Sequence, residues 1–373
     1  MARTKHCSRT TADPLLLRLR SLRQQLRNED VSALLVTNPV DIRYLTGFIG
    51  DDSWALVTAG RGRIYILSDF RFQEQIAREA PQVTAILRQR SLADELPRLC
   101  RRLRIKKIAI SRDHVTLATR KALVKQLGAS SLEDLDDPLI GQRSCKDAGE
   151  VRAIGKALAI QQKAFQETCQ FIRPGMTEIQ VCAYLEYRMR SLGADGASFP
   201  TIVAVDANAS LPHAVPGRRK IKVGSMVLID WGARWQGYCS DLTRVVSCGR
   251  MKPKLRELYS IVLDAQRAAI DTIAAGKQLK DIDLVARGII TRAGYGEWFG
   301  HGLGHGIGLD IHEQPVLARR ANGELKPGHV VTVEPGIYLP GLGGIRIEDD
   351  VLVTERGHKV LSDLPKSLES TMI

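Results

Sequence analysis

Two stretches of this chain, offset by about 100 residues, follow the same plan. "RPGMTEIQVCAYLEYRMRSLGA" and "AAGKQLKDIDLVARGIITRAGY" are helix patterns that run from glycine to glycine, Gly175 to Gly193 and Gly276 to Gly294, over equal spans. A longer amphipathic helix precedes each, "AGEVRAIGKALAIQQKAFQETCQFI" and "KLRELYSIVLDAQRAAIDTI". A Phe-led loop ending in His213 or His312 follows each. Then come "KVGSMVLID" and "KPGHVVTVE", where Lys222, Gly224, Val227 and Asp230 match Lys326, Gly328, Val331 and Glu334 in spacing. Amphipathic helices resemble one another by chance, but chance does not supply the matched tails. One helix–helix–strand–strand unit cannot cover its own sheet, and two of them close a layered structure. The expected fold of residues 146–366 is therefore a duplicated unit with a pseudo-two-fold axis.

The strands of that duplication carry acids where apolar residues belong. "MVLIDWGARWQGYCSDLTRVV" holds Asp230 and Asp241; "VVTVEPGIYLPGLGGIRIEDDVLV" holds Glu334 and Glu348. All four sit among Val and Ile, in positions where burial is expected. An unpaired buried carboxylate is costly, and four together repel one another unless cations compensate. A single acid on a strand is ordinarily a solvated charge; four that recur with the symmetry of a duplication point to a ligand set, to which the second half adds His305. Four carboxylates and an imidazole exceed what one zinc ion usually takes. They suit two divalent ions, Mn first, with Co or Zn as alternatives. The chemistry this predicts is hydrolysis, since paired ions lower the pKa of a water and polarise a carbonyl. The strand period of two places Arg346 with Glu348 on one face and Thr243 with Asp241 on another. Arg346 is expected to balance charge or to grip a substrate carbonyl or carboxylate, and Thr243 to orient a carboxylate through its hydroxyl.

"HGLGHGIGLDIHE", residues 301–313, holds His301, His305 and His312. Their spacing would suit one face of a helix. Four glycines in eight residues oppose a helix at about 1 kcal/mol each against Ala, so a strand or loop is expected. The glycines are expected to let backbone pass close to metal and substrate.

A chain of 373 residues is long for one core and predicts two domains. "MARTKHCSRTTADP", residues 1–14, lacks the apolar stretch of a secretory signal and reads as a disordered basic tail. "DPLLLRLRSLRQQLRNED" has a helical period starting at Asp13-Pro14, and "VSALLVTN", "SWALVTAG", "RIYILSD" and "KKIAISRD" are apolar runs expected as buried strands. Residues 15–140 thus form an α/β domain. "SLEDLDDPLIGQRSCKD" breaks the periodicity and reads as a linker, with the boundary near 132–147. No apolar run reaches the ~18 residues of a membrane span. Seven cysteines at irregular spacing, none in a CxxC pair, fit a reducing cytoplasm. The net charge of +13 is dispersed, with no aromatic-rich strand as a stacking platform, which argues against nucleic acid as a partner.

Taken together, "NPVDIRYLTGF", "SFPTIVAVDANASLPHA", "DWGARWQGYCSDLTR", "HGLGHGIGLDIHE", "VVTVEPGIY" and "GIRIEDD" resemble the Xaa-Pro peptidases. These are aminopeptidase P and prolidase, in the pita-bread metallopeptidase group with methionyl aminopeptidase and creatinase. The resemblance runs from about residue 15 to the end. It implies a creatinase-like N-terminal α/β domain followed by a pita-bread catalytic domain. It implies Asp230, Asp241, His305, Glu334 and Glu348 as ligands of two divalent ions. Glu334 would also carry a proton from the attacking water to the leaving proline nitrogen. His213 and His312 would line the site as non-ligand catalytic histidines, one steadying the scissile carbonyl or the tetrahedral intermediate, and His301 would support it. The implied substrates are peptides with proline at position two, and the implied assembly is a homodimer.

Methionyl aminopeptidase shares the five ligands but lacks this N-terminal domain; creatinase has the domain without the ligand set. The expected activity is therefore that of an Xaa-Pro aminopeptidase, with Xaa-Pro dipeptidase as the alternative. A strict dipeptidase must grip its substrate's carboxylate, and beyond Arg346 only Arg218 and Arg219, just after His213, are at hand. A non-catalytic pita-bread binding module is the remote alternative, opposed by the complete ligand set.

Overall fold

In the computed structural model, which describes residues 13–373, the chain divides into two compact units at Gln142/Arg143. The expected tail of residues 1–14 lies outside the described residues up to residue 12. Asp13 and Pro14 belong to a helix: the Asp13 carboxylate accepts the Leu15 N–H, and Pro14 occupies the first turn.

The first unit alternates helices and strands: α1 (Pro14–Asn28), β1 (Ala33–Val36), α2 (Pro39–Thr46), β2 (Trp54–Thr58), β3 (Tyr65–Ser68), α3 (Gln73–Glu79), β4 (Thr84–Leu87), α4 (Leu92–Leu103), β5 (Ile108–Ser111), α5 (Leu117–Leu127) and β6 (Leu132–Leu135). The strands form one mixed sheet in the order β4-β3-β2-β1-β5-β6. β1, β5 and β6 run parallel, so their carboxyl ends lie side by side. The four apolar runs are β1, β2, β3 and β5. β6 lies in the segment read as linker: Glu133 and Asp134 give it the charged look of a loop, and charge is what an edge strand tolerates. A short helix, α6 (Ile140–Ser144), carries the division between the units.

The second unit opens with α7 (Ala148–Phe171) and α8 (Glu178–Ser191), followed by β7 (Gly196–Ala197), β8 (Ile202–Val205), β9 (Met226–Trp231), β10 (Ala233–Trp235), β11 (Tyr238–Cys239) and β12 (Leu242–Ser247). The plan then repeats with α9 (Pro253–Asp271), α10 (Leu279–Arg292), β13 (Gly304–Gly306), β14 (Glu313–Leu317), β15 (Val330–Val333), β16 (Gly336–Leu339), β17 (Gly343–Arg346), β18 (Asp349–Thr354) and β19 (Gly357–Val360). The matched glycines share a left-handed backbone: φ is 96° at Gly175 and 79° at Gly276, 100° at Gly193 and 87° at Gly294, 84° at Gly224 and 90° at Gly328. Only glycine takes that conformation without strain, so the repeat reflects turn geometry as well as pattern. This duplicated α/β layering is the pita-bread architecture expected above. Its last residues extend past 366, where the Ile373 N–H donates to the Ser247 carbonyl.

Strand alternation makes the core. Val203, Val205, Val227, Ile229 and Trp231 pack with α7 and α8, while Ile202, Ala204, Met226 and Leu228 turn the other way onto α9 and α10. Val331, Val333, Val351 and Val353 join that second cluster. A sheet buried on both faces reads as a near-continuous apolar run, and an acid within it stands out. Among the described residues no helix is long and apolar enough to cross a membrane, and six cysteines are free.

Candidate metal centre

Both halves of the second unit deliver acids to one place. Asp230 lies near the end of β9, paired in register with Thr243, and Asp241 immediately precedes β12. Glu334 follows β15, and Glu348 sits between β17 and β18. All four acids and His305 converge. His305 Nε2 stands 3.7 Å from Asp241 Oδ2 and 3.4 Å from Glu334 Oε1. Ligand atoms of Asp241, His305 and Glu348 lie within 4.8 Å of one another. His305 Nδ1 faces the Gly306 carbonyl at 3.1 Å. A carbonyl only accepts, so Nδ1 carries a proton, which leaves Nε2 as the nitrogen that pairs with the acids or, once deprotonated, binds a cation.

Physical tests of the site favour cations. Asp230 Oδ1, Asp241 Oδ1 and Glu348 Oε1 are buried without a hydrogen-bond partner among the described residues. Burial raises the pKa of Asp230 despite Arg346 beside it. Burial, then the neighbouring acids Glu348, Asp230 and Glu334, lifts Asp241 well above the carboxylate range, and burial with Glu334 and Asp230 does the same for Glu348. Glu334 goes the other way: burial is outweighed by the hydrogen bond and charge of His305, and its pKa is lowered. The same contact raises His305 against the effect of burial. Acids left to repel and to hold protons are what divalent ions relieve, so the residues present fit a metal centre.

Arg346 is only 3% exposed, and each of its three guanidinium nitrogens donates a hydrogen bond. It donates to Asp230 Oδ2, to Thr243 Oγ1 at 3.0 Å and to the Tyr338 hydroxyl at 2.8 Å. In this arrangement the guanidinium balances the charge of Asp230. The Thr243 hydroxyl donates to Glu348 Oε2 at 2.7 Å, linking first half to second. Tyr338 continues the chain: His301 Nδ1 donates to the Gly302 carbonyl at 2.8 Å, so its Nε2 accepts from the Tyr338 hydroxyl at 2.9 Å. His312 is exposed, its ring centroid 4.4 Å from that of His305, and burial and the His305 charge lower its pKa. His213 is exposed too, and its charge contributes to the lowering of His312.

Two residues at this site were not singled out from the sequence. Tyr338 is a buried aromatic on a strand, which ordinarily means core. Asp350 is fully buried, accepts the Asp241 N–H at 3.2 Å and leaves Oδ1 without a partner among the described residues. The run Glu348–Asp349–Asp350 in an apolar strand was the available signal. The glycines also act differently from expectation. A Cβ on Gly304 would stand 2.0 Å from the Thr332 carbonyl oxygen, and one on Gly306 2.3 Å from that of Gln314. They admit the neighbouring strand backbones that hold His305 in place.

Residues 152–355 match the model of metallopeptidase family M24, and residues 18–145 match the creatinase/prolidase N-terminal domain. The chain is 36% identical to the uncharacterized peptidase YqhT of Bacillus subtilis, over 94% of this chain and 99% of that one. Among solved structures, an Xaa-Pro dipeptidase from Bacillus anthracis superposes with a TM-score of 0.91 at 37% identity, covering 96% of this chain and 100% of its own. An X-Pro aminopeptidase from Thermotoga maritima follows with 0.86 at 38% identity, covering 92% and 99%. With its repeat, converging acids and matching domains, this chain belongs to metallopeptidase family M24, behind a creatinase/prolidase-type N-terminal domain.

Proposed function

We propose that this metallopeptidase removes an N-terminal residue that precedes proline, acting as an Xaa-Pro aminopeptidase with Asp230, Asp241, His305, Glu334 and Glu348 as ligands of two divalent ions, manganese first. Such ions supply Lewis acidity and a water of lowered pKa. Glu334 is the acid best placed to move a proton. Its side chain is 17% exposed, against 7% for Asp241 and 12% for Asp230, and the Thr332 hydroxyl, which it accepts at 3.3 Å, fixes its direction. His213 and His312, exposed beside the acids, are positioned to hydrogen-bond a peptide carbonyl. His301, Tyr338 and Arg346 form a relay of hydrogen bonds that orients Asp230, while Thr243 orients Glu348.

The observation that carries aminopeptidase over dipeptidase is the engagement of Arg346. Its three nitrogens already donate to Asp230, Thr243 and Tyr338, which weakens its grip on a dipeptide's carboxylate. Arg218 and Arg219 are exposed and favour the dipeptidase reading if they face the substrate. The similar structures carry both names, Xaa-Pro dipeptidase and X-Pro aminopeptidase. The test is kcat/KM for Xaa-Pro-Yaa against Xaa-Pro. A ratio favouring the dipeptide reverses the assignment, and Arg218→Ala then becomes the next variant. A homodimer in the cytoplasm belongs to the same reading; light scattering checks the dimer.

A further inference from the structure

A second cluster of metal-ligating side chains lies in the first unit, away from every residue used above. Asp41 sits in the first turn of α2 after β1, His114 follows β5, and Asp137 follows β6. The three strands are parallel, so the cluster gathers at their carboxyl ends, the place where open α/β sheets bind ligands. Their ligand atoms lie within 4.8 Å of one another. They line a cavity of about 10 Å³, room for one water-sized atom, together with Thr37, Asn38 and Ser111.

The His114 ring stands between the two carboxylates. One nitrogen, His114 Nε2, faces both Asp41 Oδ2 at 3.6 Å and Asp137 Oδ2 at 3.3 Å. A single N–H cannot point at two acceptors, and charge-assisted bonds are shorter, near ~2.7–2.9 Å. Both separations suit ligands around a common ion: bonds of about 2.0–2.1 Å place tetrahedral neighbours roughly 3.4 Å apart. The M24 site of this same chain repeats the pattern, with His305 Nε2 at 3.7 and 3.4 Å from Asp241 and Glu334. Asp137 Oδ1 accepts the Leu139 N–H at 2.9 Å, and the Asn38 amide, whose oxygen caps α2, donates to Asp41 Oδ2 at 3.1 Å and stands 3.5 Å from His114 Nε2. Asp41 and Asp137 are 2% and 8% exposed, so their charges sit where a cation is held strongly.

We propose that Asp41, His114 and Asp137 form an additional cation site that takes one divalent transition ion, zinc by its mixed imidazole and carboxylate ligands. The ion ties the edge strand β6 to β5 and β1 and leaves a coordination position toward the cavity.

The test is zinc stoichiometry of the full-length chain, stripped with chelator and reloaded with zinc chloride, followed by calorimetric titration and elemental analysis. Wild type is expected to hold three ions per chain. His114→Gln and Asp137→Asn, two independent variants checked for folding by circular dichroism, are each expected to hold two. An Asp241→Ala/His305→Ala double variant is expected to keep one. Equal zinc content in wild type and whichever of the two variants folds overturns the proposal and leaves the dinuclear centre untouched. One ion in wild type that disappears in His114→Gln and survives in the double variant supports this site and removes the dinuclear reading instead.

Discussion

Thr243→Val replaces one hydroxyl with a methyl of nearly the same volume, and the structure fixes what is lost. The hydroxyl donates to Glu348 Oε2 at 2.7 Å and accepts from Arg346 Nε at 3.0 Å. Glu348 is 1% exposed, and its Oε1 already has no partner among the described residues. Without the hydroxyl the whole carboxyl has no hydrogen bond, and Arg346 Nε loses its acceptor. The bond from the Arg346 guanidinium is worth about 1.5–3 kcal/mol and the bond to the Glu348 carboxyl about 0.5–1.5 kcal/mol, so the metal-free protein should lose roughly 3 kcal/mol. In the loaded protein Glu348 keeps its cation but not its orientation. Loss of a group that orients a ligand costs about 10–100-fold in metal affinity, or ~1.4–2.8 kcal/mol. The assay is calorimetric Mn titration of stripped wild type, Thr243→Val and Thr243→Ser, with urea unfolding of the metal-free forms. The serine variant retains the hydroxyl and should bind within a few-fold of wild type. Valine affinity within twofold of wild type, with an unchanged urea midpoint, would refute the assignment of Thr243 as the residue that orients Glu348.

Glu334→Gln should lower kcat on Xaa-Pro-Yaa by about 10²–10⁴-fold, the usual cost of a lost general base, while some bound metal remains by elemental analysis; near-normal turnover moves the proton to another group. Chelator should abolish peptidase activity and manganese restore it; full activity in metal-free protein contradicts the ligand assignment. Gly304→Ala should fold poorly or lose several-fold in soluble yield, because the added methyl meets the Thr332 carbonyl at 2.0 Å; a thermal midpoint equal to wild type would show that β13 and β15 can separate. The pH dependence follows from Asp230, Asp241 and Glu348, whose pKa values are raised by burial first and by their acidic neighbours. Raised carboxyls bind more protons folded than unfolded, so their contribution to metal-free stability falls as pH climbs from about 4 through the raised values. Ions cancel that loss, and the gap in Tm between manganese-loaded and stripped protein should therefore widen between about pH 5 and pH 8; a constant or narrowing gap contradicts the shifts.

Pattern carried the helices and buried strands because each of those elements solves its own local problem. β6 escaped because an edge strand carries charge, and β4 because Thr84–Leu87 alternates between half-buried and exposed positions and offers no apolar run. The four candidate carboxylates were visible through duplication, and His305 through its glycine-rich segment: a carboxylate that recurs in an apolar strand of each half needs an explanation that a single one does not. Arg346 and Thr243 were legible from the strand period, whereas Tyr338 and Asp350 were not, since their roles depend on contacts across the fold. Asp349 and Asp350 are adjacent and chemically identical. Asp349 meets Arg244, Lys366 and Gln266, and Arg244 and Lys366 hold its pKa at about 2 despite burial, whereas Asp350 faces the Asp241 backbone. No local rule separates the two. Arg346 likewise looks the same in sequence whether it awaits a substrate or is already bound within the protein.

The division of the proposed ligands between the two halves also makes the second unit a natural split protein. Asp230 and Asp241 lie before the turn that joins β12 to α9, while His305, Glu334 and Glu348 lie after it. A break within the turn, at residues 249–251, would leave neither fragment with a complete coordination set. Thr243, Arg346 and the shared apolar layer would still draw the fragments together, but only ions held by both would fasten them. Two co-expressed fragments should therefore reassemble in proportion to free divalent metal, turning a buried coordination sphere into a readable metal-gated association.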